Sequence, residues 1–283
     1  MPPRTNTTAR QERLGAELRK LREGAGMTAR ETARLLGVDQ AKISYLEMGR
    51  VSVSEERIRR LASHYACDDK GLVDALVAMA TTRVRGWWEE YRGILPQGFL
   101  DLSELEHHAT SMRTIRISEI PGILQTEAHA RAVFTYGVPE PPPADLEARV
   151  SHRVRRRTVL DRQAPPELEV SLHESAIRMR VGGRKVAREQ LTHILEQTDR
   201  PNITVRVIPF SAENFAGTGW SMLYLGGPVP ELDTVQLDTG HTGVLIDAYA
   251  QLKRYRTLFT KAQDASLDVT ESRDLIHRIA REL

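Results

Sequence analysis

Cysteine is nearly absent from this sequence, and its scarcity excludes two kinds of structure. The 283 residues include one cysteine, Cys67. A single thiol cannot form an intramolecular disulfide, and it cannot build a metal site of several cysteines. The fold must therefore be held by its hydrophobic core and its polar contacts.

Long apolar runs are also missing. No stretch approaches the roughly 20 apolar residues that a membrane-spanning helix needs, and residues 1–10 lack the apolar core of a signal peptide. Hydrophobic residues make up 40% and charged residues 28%, which is ordinary for a globular protein. We expect a cytoplasmic protein of about two domains.

Complete catalytic motifs are lacking too. His173-Glu174 begins like a zinc-protease motif, but Ile177 stands where the second histidine would be. Gly182-Gly183 belongs to no complete phosphate-binding loop, and no G-x-S-x-G segment is present. We expect neither an enzyme, nor a metal site, nor a cofactor.

Residues 28–49 carry the strongest pattern that is present. Ala33 and Leu36 form one apolar stripe and Ile43 and Leu46 another, each with the spacing of a helix face. Between them, Gly37 can adopt a positive φ that ends the first helix, and Asp39 is suited to cap the second. The pattern predicts two short helices joined by a tight turn.

The second of these helices carries a polar face opposite its apolar stripe. Gln40, Ala41, Ser44 and Tyr45 share that face, which makes them candidates for contact with DNA bases. The alternative is an ordinary solvated helix face. Gly49 is expected to end the helix just before Arg50.

Flanking segments predict a domain of five helices over residues 10–80, after a flexible tail at 1–9. Further apolar stripes supply the other three helices: Leu14, Leu18 and Leu21; Ile58, Leu61, Ala62 and Tyr65 after a Ser54 cap; and Leu72, Val73, Leu76 and Val77. Residues 1–66 contain 13 basic and 8 acidic side chains, so the basic excess lies at this end. Such an excess favours attraction to phosphates.

This segment resembles the Xre/Cro family of helix-turn-helix regulators. The matching residues are Leu18, Leu21, Thr28, Glu31, Ala33, Leu36, Gly37, Val38, Ile43, Ser44, Leu46, Glu47 and Gly49. The resemblance implies that Gln40, Ala41, Ser44 and Tyr45 face bases, and that Thr28, Ala29 and Arg30 meet phosphate. We expect Lys42 and Arg50 to contact phosphate as well. Ala29 and Val53 depart from the family, which usually has Gln and often Pro there.

The rest of the chain predicts a second, α+β domain over 101–283, after a helical connector at 81–100. The connector helix is expected to run through Leu76 and Val84 to Trp87, Trp88 and Tyr91. Helices are expected at 103–113, 125–136, 144–160, 183–198, 248–258 and 271–283, and strands at 168–172, 203–208, 220–225, 234–237 and 243–246. These elements predict a small, mostly antiparallel sheet covered by helices.

A second resemblance covers nearly all of residues 86–283. Leu105, Glu106 and Ala109, with segments at 120–133, 149–178, 181–183 and 200–212, are similar to the uncharacterised domain of the actinobacterial WhiJ-like and antitoxin-like regulators. That resemblance implies a regulator encoded beside a small partner protein. It implies neither a ligand nor a catalytic step.

Together these observations predict a sequence-specific transcription regulator that is controlled through its C-terminal domain by a small partner protein. We expect it to bind a palindromic DNA site as a homodimer, because one recognition helix reads too few base pairs alone. An antitoxin-like protein that autoregulates its operon is one alternative. A regulator with a small-molecule pocket lined by Phe215, Trp220 and Tyr224 is another. The basic run Arg153, Arg156 and Arg157 is read as a charged helix side, either solvated or in contact with DNA phosphates or an acidic partner.

Overall fold

The computed structural model describes residues 7–82, 85–217, 219, 221–238 and 243–283, and it divides into two units. The N-terminal unit comprises the chain up to Glu89 together with Pro228–Leu232. The C-terminal unit comprises Glu90–Gly227 and Asp233–Leu283. Most of the expected tail at 1–9 lies outside the described residues, and the first helix begins at Ala9.

Over residues 7–82, five α-helices form the N-terminal unit, as the sequence predicts. Side-chain oxygens of Thr8, Thr28, Ser54 and Asp69 each accept a backbone N–H in the first turn of the helix that follows. These local hydrogen bonds fix where four of the helices begin. The helices are α1 (Ala9–Gly24), α2 (Ala29–Leu36), α3 (Gln40–Glu47), α4 (Glu55–His64) and α5 (Lys70–Thr81).

The core of this unit includes a segment from far along the chain. Leu18, Ile58 and Leu76 are buried among the helices, and Leu232 packs into the same cluster. Arg13, which is also buried, donates a hydrogen bond to the backbone carbonyl of Glu231. The helical unit is thus completed by residues that the sequence places after position 227.

The expected continuous connector helix is wrong. Helix α5 ends at Thr81, and Trp87–Tyr91 form a separate 3₁₀ helix, while Val84 lies outside the described residues. The hydroxyls of Thr81 and Thr82 donate to carbonyls one turn back, at 2.9 and 2.6 Å, and Thr82 is extended. Adjacent β-branched residues with this bonding favour the end of a helix.

Helices of the C-terminal unit agree with most of the predicted ones. Their bounds differ at 103–113, where the helix both begins and ends earlier, at 144–160, where the last turn is a 3₁₀ helix at Arg156–Asp161, and at 248–258, where the helix continues to Asp264. The short helix Glu174–Arg178 was not predicted. The helices are α6 (Gln97–His108), α7 (Glu127–Thr135), α8 (Pro143–Arg155), α9 (Glu174–Arg178), α10 (Arg184–Gln197), α11 (Tyr249–Asp264) and α12 (Val269–Glu282).

The sheet is larger than predicted and mixed. Its order is β3-β2-β1-β4-β5-β6; β1, β2 and β3 are parallel, and the other three neighbouring pairs are antiparallel. Crossover connections through helices join β1 to β2 and β2 to β3, as parallel pairs require. The strands are β1 (Ser111–Arg116), β2 (Glu167–His173), β3 (Ile203–Ile208), β4 (Met222–Gly226), β5 (Thr234–Asp238) and β6 (Gly243–Ile246).

Strand β1, absent from the prediction, lies in the middle of this sheet. One face of the sheet buries Met112, Val170 and Leu223 in the main core cluster. Side chains of the opposite face, including Ile115 and Val235, pack with residues of α11. No helix among the described residues is both long enough and apolar enough to cross a membrane.

Candidate nucleic-acid interface

The first helix of the predicted motif begins at a reciprocal cap. Thr28 Oγ1 accepts the Glu31 N–H at 3.2 Å, and Glu31 Oε2 accepts the Thr28 N–H at 2.7 Å. The hydrogen bond from the Thr28 backbone stabilises the carboxylate and lowers the pKa of Glu31. Two N–H groups at the start of α2 are thereby satisfied.

The turn between α2 and α3 matches the prediction in backbone and differs at one side chain. Gly37 has a φ of +63°, so the left-handed conformation that glycine allows does end α2. Asp39 occupies the N-cap position of α3, but its side chain makes no capping hydrogen bond. The position assigned to Asp39 is confirmed, whereas its capping bond is not formed.

Helix α3 presents a polar outer side. Ile43 and Leu46 are buried, while Gln40 and Ala41 are exposed. Ser44 and Tyr45 are half-exposed, and the Ser44 hydroxyl donates to the Gln40 carbonyl at 3.4 Å.

Gln40 and Tyr45, the two longest side chains of this outer side, have polar groups that are free to bind a partner. Among the described residues, no hydrogen bond engages the Gln40 amide or the Tyr45 hydroxyl. The Gln40 amide can both donate and accept, as bidentate pairing with adenine requires. Tyr45 offers a ring and a hydroxyl to the same partner.

The end of α3 lies directly against α1 through two glycines. Gly49 has a φ of +72°, and the Arg50 N–H donates to the Tyr45 carbonyl at 2.8 Å, which closes the helix. A Cβ on Gly49 would lie 2.6 Å from the Gln11 carbonyl oxygen, and one on Gly15 would lie 2.4 Å from that of Glu47. Glycine is thus required for both the turn and the approach.

A buried ion pair fixes the same end of α3. Arg22 Nε and Nη2 donate to the two carboxylate oxygens of Glu47 at 2.6 and 2.9 Å, and Arg22 Nη1 donates to the Met27 carbonyl at 2.7 Å. The hydrogen bonds to Glu47 raise the pKa of Arg22. Sequence reasoning missed this pair, although Arg22 continues the buried side of α1 one turn after Leu18.

A second polar contact joins α2 to the end of α4. The Tyr65 hydroxyl donates to Thr32 Oγ1 at 3.4 Å, and both side chains are buried. Burial raises the pKa of Tyr65. The Tyr65–Thr32 contact holds α2 against the end of α4, and the Arg22–Glu47 pair holds the end of α3 against α1.

The residues predicted to contact phosphate all lie on the surface, and Ala29 is the one that is only partly exposed. Thr28, Arg30, Lys42 and Arg50 are exposed. Within the described ranges, no ion pair engages Arg30, Lys42 or Arg50. These three cations are therefore available to an anionic partner. Ala29 offers only its backbone, at the first position of α2.

The basic run at 153–157 is not a solvated charged side, so that expectation is wrong. Arg156 is buried and donates to both carboxylate oxygens of Glu106, at 2.8 and 2.5 Å. Arg153 Nη1 donates to Gln125 Oε1 at 2.8 Å, and burial lowers the pKa of Arg153 to about 9. Arg157 is half-buried against His193, 3.0 Å away. Arg153 lies within α8, whereas Arg156 and Arg157 lie in the 3₁₀ helix that follows it.

Of the three residues proposed for a small-molecule pocket, Phe215 and Tyr224 are described by the structure, and each contacts other side chains. Trp220 lies outside the described residues. Tyr224 is buried, donates to Asp233 and accepts from Arg256 Nε at 2.5 Å. Phe215 stacks on His173 with ring centroids 6.0 Å apart. Two surface cavities of about 580 and 370 Å³ in this unit are lined by other residues.

The histidine that begins a protease-like motif has a structural position. His173 is the N-cap of α9, where its Nδ1 lies 2.7 Å from Ser175 Oγ. Over the part of the chain that the structure describes, no group of three His, Cys, Asp or Glu side chains could hold a metal ion.

Comparisons with known families match two parts of the chain. A helix-turn-helix domain model matches residues 13–76, and a domain of unknown function, DUF5753, matches residues 99–278. No curated protein and no solved structure matches the chain. The N-terminal match agrees with the helices and turn described above and indicates a DNA-binding regulator.

Proposed function

The chain belongs to the family of the domain of unknown function DUF5753, and from its helix-turn-helix unit we propose that it is a sequence-specific transcription regulator. The observation that carries this proposal is the outer side of α3. The Gln40 amide and the Tyr45 hydroxyl on that side make no hydrogen bond with a described residue. Buried contacts at Glu47 and Gly49 fix the C-terminal end of the same helix. Exposed donors and acceptors on a helix that its neighbours hold in place suit base edges in a major groove.

Base contacts are assigned to Gln40, Ala41, Ser44 and Tyr45. Phosphate contacts are assigned to Thr28, Ala29, Arg30, Lys42 and Arg50. The exposed cations among them supply attraction that is independent of sequence, whereas the α3 side chains supply the discrimination between base pairs.

The proposal includes a homodimer on a palindromic site. Helix α3 has eight residues, so it can reach only a few base pairs. Two copies related by a two-fold axis read two half-sites, which raises specificity over the many competing sites of a genome.

Regulation is assigned to the C-terminal unit, through a small partner protein. The similarity to WhiJ-like and antitoxin-like regulators supports a protein partner. The antitoxin-like alternative differs in that neutralising the partner is the main task and DNA binding serves autoregulation.

We propose a binding protein rather than an enzyme. His173 and Glu174, the residues that most resemble a catalytic pair, cap α9 and accept the Phe210 N–H at 2.8 Å, respectively. Both side chains thus have structural contacts that account for their positions.

Selection from a random DNA library tests the proposal. The full chain is incubated with random duplexes at physiological salt, and bound fragments are sequenced after several rounds. We expect enrichment of a palindrome with half-site centres about 10 base pairs, or a multiple, apart. A library that stays random after selection would contradict sequence-specific binding. Co-purification with the product of a neighbouring gene tests the protein partner separately.

A further inference from the structure

The two edges of the six-stranded sheet differ in how their backbone groups are satisfied. At the β3 edge, the Val207 N–H donates to Ser272 Oγ and the Val207 carbonyl accepts the Leu267 N–H, both at 2.9 Å. Leu267, just before α12, and Ser272 within it therefore satisfy the backbone groups of Val207 on that edge. The other edge is β6, which among the described strands pairs only with β5.

Hydrogen bonding between β4 and β5 fixes which groups of β5 point toward β6. The Asp238 N–H donates to the Ser221 carbonyl at 3.2 Å, in register with the antiparallel pair of Met222 and Leu237. Backbone polar groups alternate in direction along a strand. Asp238 is therefore turned toward β4, and its neighbour Leu237 is turned toward β6.

The same alternation determines the outer edge of β6. Val244 lies opposite Leu237 and Ile246 opposite Val235, so Val244 and Ile246 bond to β5. The N–H and carbonyl of Leu245, between them, point away from the sheet. No hydrogen bond from a described residue reaches either group.

Side chains of β6 make this edge attractive to another strand. The segment Gly243–Ile246 contains no charge and no proline, which are the residues that commonly protect an edge. Val244 and Leu245 are 45% and 40% exposed. An open row of backbone groups with apolar side chains beside it favours pairing with a further strand.

We propose that β6 pairs antiparallel with β6 of a second copy of this chain, about a two-fold axis at Leu245. Leu245 then lies opposite Leu245 of the second copy and exchanges two backbone hydrogen bonds with it. Val244 lies opposite Ile246 of the second copy, and the two six-stranded sheets become continuous.

A second copy suits this edge better than an unrelated peptide. Antiparallel pairing of two identical strands satisfies the same backbone groups on both copies and generates a two-fold axis, which an unrelated peptide does not. This inference rests on the proposed function, in which a palindromic site requires that symmetry. The surface is small compared with stable dimer interfaces, so we expect a weak dimer that depends on protein concentration.

Sedimentation velocity of the full chain over a range of concentrations tests the interface. We expect Leu245→Lys to raise the dimer dissociation constant at least about tenfold, because it places like charges together at the axis. Met179→Lys is the matched control, since Met179 is 47% exposed in the same unit and lies outside β6. A wild-type chain that is monomeric throughout, or a Leu245→Lys dimer as strong as wild type, would overturn the proposal.

Crosslinking provides a test that does not depend on a disruptive variant. In a Cys67→Ser background, Leu245→Cys should form an intermolecular disulfide on mild oxidation, because directly opposed residues of a bonded pair lie about 5.5 Å apart. Met179→Cys should form none. Equal crosslinking of both variants would overturn the interface.

DNA selection distinguishes a failure of the β6 interface from a failure of the proposed function. If a palindrome is enriched but Leu245→Lys dimerises as strongly as the wild type, only the proposed β6 interface is wrong. A library without enrichment removes the proposed function itself.

Discussion

Arg13 in the first helix donates a hydrogen bond to the backbone carbonyl of Glu231, although the two residues are 218 positions apart in the sequence. Leu232, next to Glu231, is buried in the core of the helix-turn-helix unit. The segment that connects β4 to β5 is therefore part of the unit that carries α3. We infer that the stability of the candidate DNA-binding unit depends on residues outside its contiguous sequence.

Leu232→Ala should destabilise this unit. Removal of a buried leucine side chain costs about 2–5 kcal/mol, so hydrogen exchange of amides in α1 and α5 should accelerate. Leu35→Ala is the control, because Leu35 is 44% exposed in the same unit and should cost less than about 0.5 kcal/mol. Equal protection of α1 and α5 in the two variants would show that the segment does not stabilise the unit.

The Arg22–Glu47 pair should behave as one unit in a double-mutant cycle. Arg22→Met leaves the Glu47 carboxylate buried without its partner, which costs about 3–5 kcal/mol in unfolding free energy. Glu47→Leu in the same chain should recover much of that loss, because neither charge then remains. Urea denaturation of the four chains measures the coupling, and additive effects would argue against a direct pair.

Salt dependence should report the exposed cations near α3. Each of Arg30→Gln, Lys42→Gln and Arg50→Gln should reduce the slope of log K against log salt by about 0.9, since a chain that neutralises one phosphate fewer also releases one counterion fewer. Lys185→Gln, which removes an exposed cation from the C-terminal unit, should leave the slope unchanged. If all four variants had the wild-type slope of log K against log salt, the assignment of these cations to phosphate contacts would be wrong.

Acid should destabilise the C-terminal unit through a buried histidine. His152 lies beside Arg153, Arg155 and Arg156; burial first, then these charges, lower its pKa from 6.5 to about 3. The unfolded chain therefore binds more protons than the folded chain between those values, so stability is lost as the pH falls from about 6.5 toward 3. His129, with a pKa lowered to about 4 by burial and Arg153, acts in the same direction.

Thermal unfolding between pH 7 and pH 4 measures this effect. His152 Nε2 lies 3.1 Å from Ser103 Oγ, so His152→Gln, which can keep that polar contact, should unfold with a weaker pH dependence than wild type. The exposed His277 serves as the control, and His277→Gln should retain the wild-type dependence. If the unfolding temperature of His152→Gln changed with pH as strongly as that of the wild type, His152 would not be the source of the acid sensitivity.

The helix-turn-helix unit was predictable because its signals are local. Thr28 and Glu31, which are three residues apart, form the cap of one helix. Gly37 and Gly49 end helices at positions where a positive φ is needed. Each signal lies within a few residues of the boundary that it determines. The polar outer side of α3 follows from the same helical period.

Long-range contacts explain what the sequence did not predict. Strand β1 follows α6 after two residues, and its place at the centre of the sheet depends on pairing with β2 and β4, far along the chain. Arg156 has the sequence pattern of a surface residue, yet it pairs with Glu106 in the interior. Such partners are determined by the assembled fold rather than by nearby residues.

The most direct test of the account compares affinities for two duplexes at physiological salt, the selected palindrome and a scrambled version of it. Fluorescence anisotropy should give dissociation constants that differ by a factor of about 10³ or more for the wild-type chain. Gln40→Ala should cost about 1–3 kcal/mol on the palindrome and relax the preference at one base position, whereas Gln97→Ala, at the first position of α6, should change neither. Equal, weak binding of the wild-type chain to both duplexes would contradict the assignment of α3 to DNA recognition.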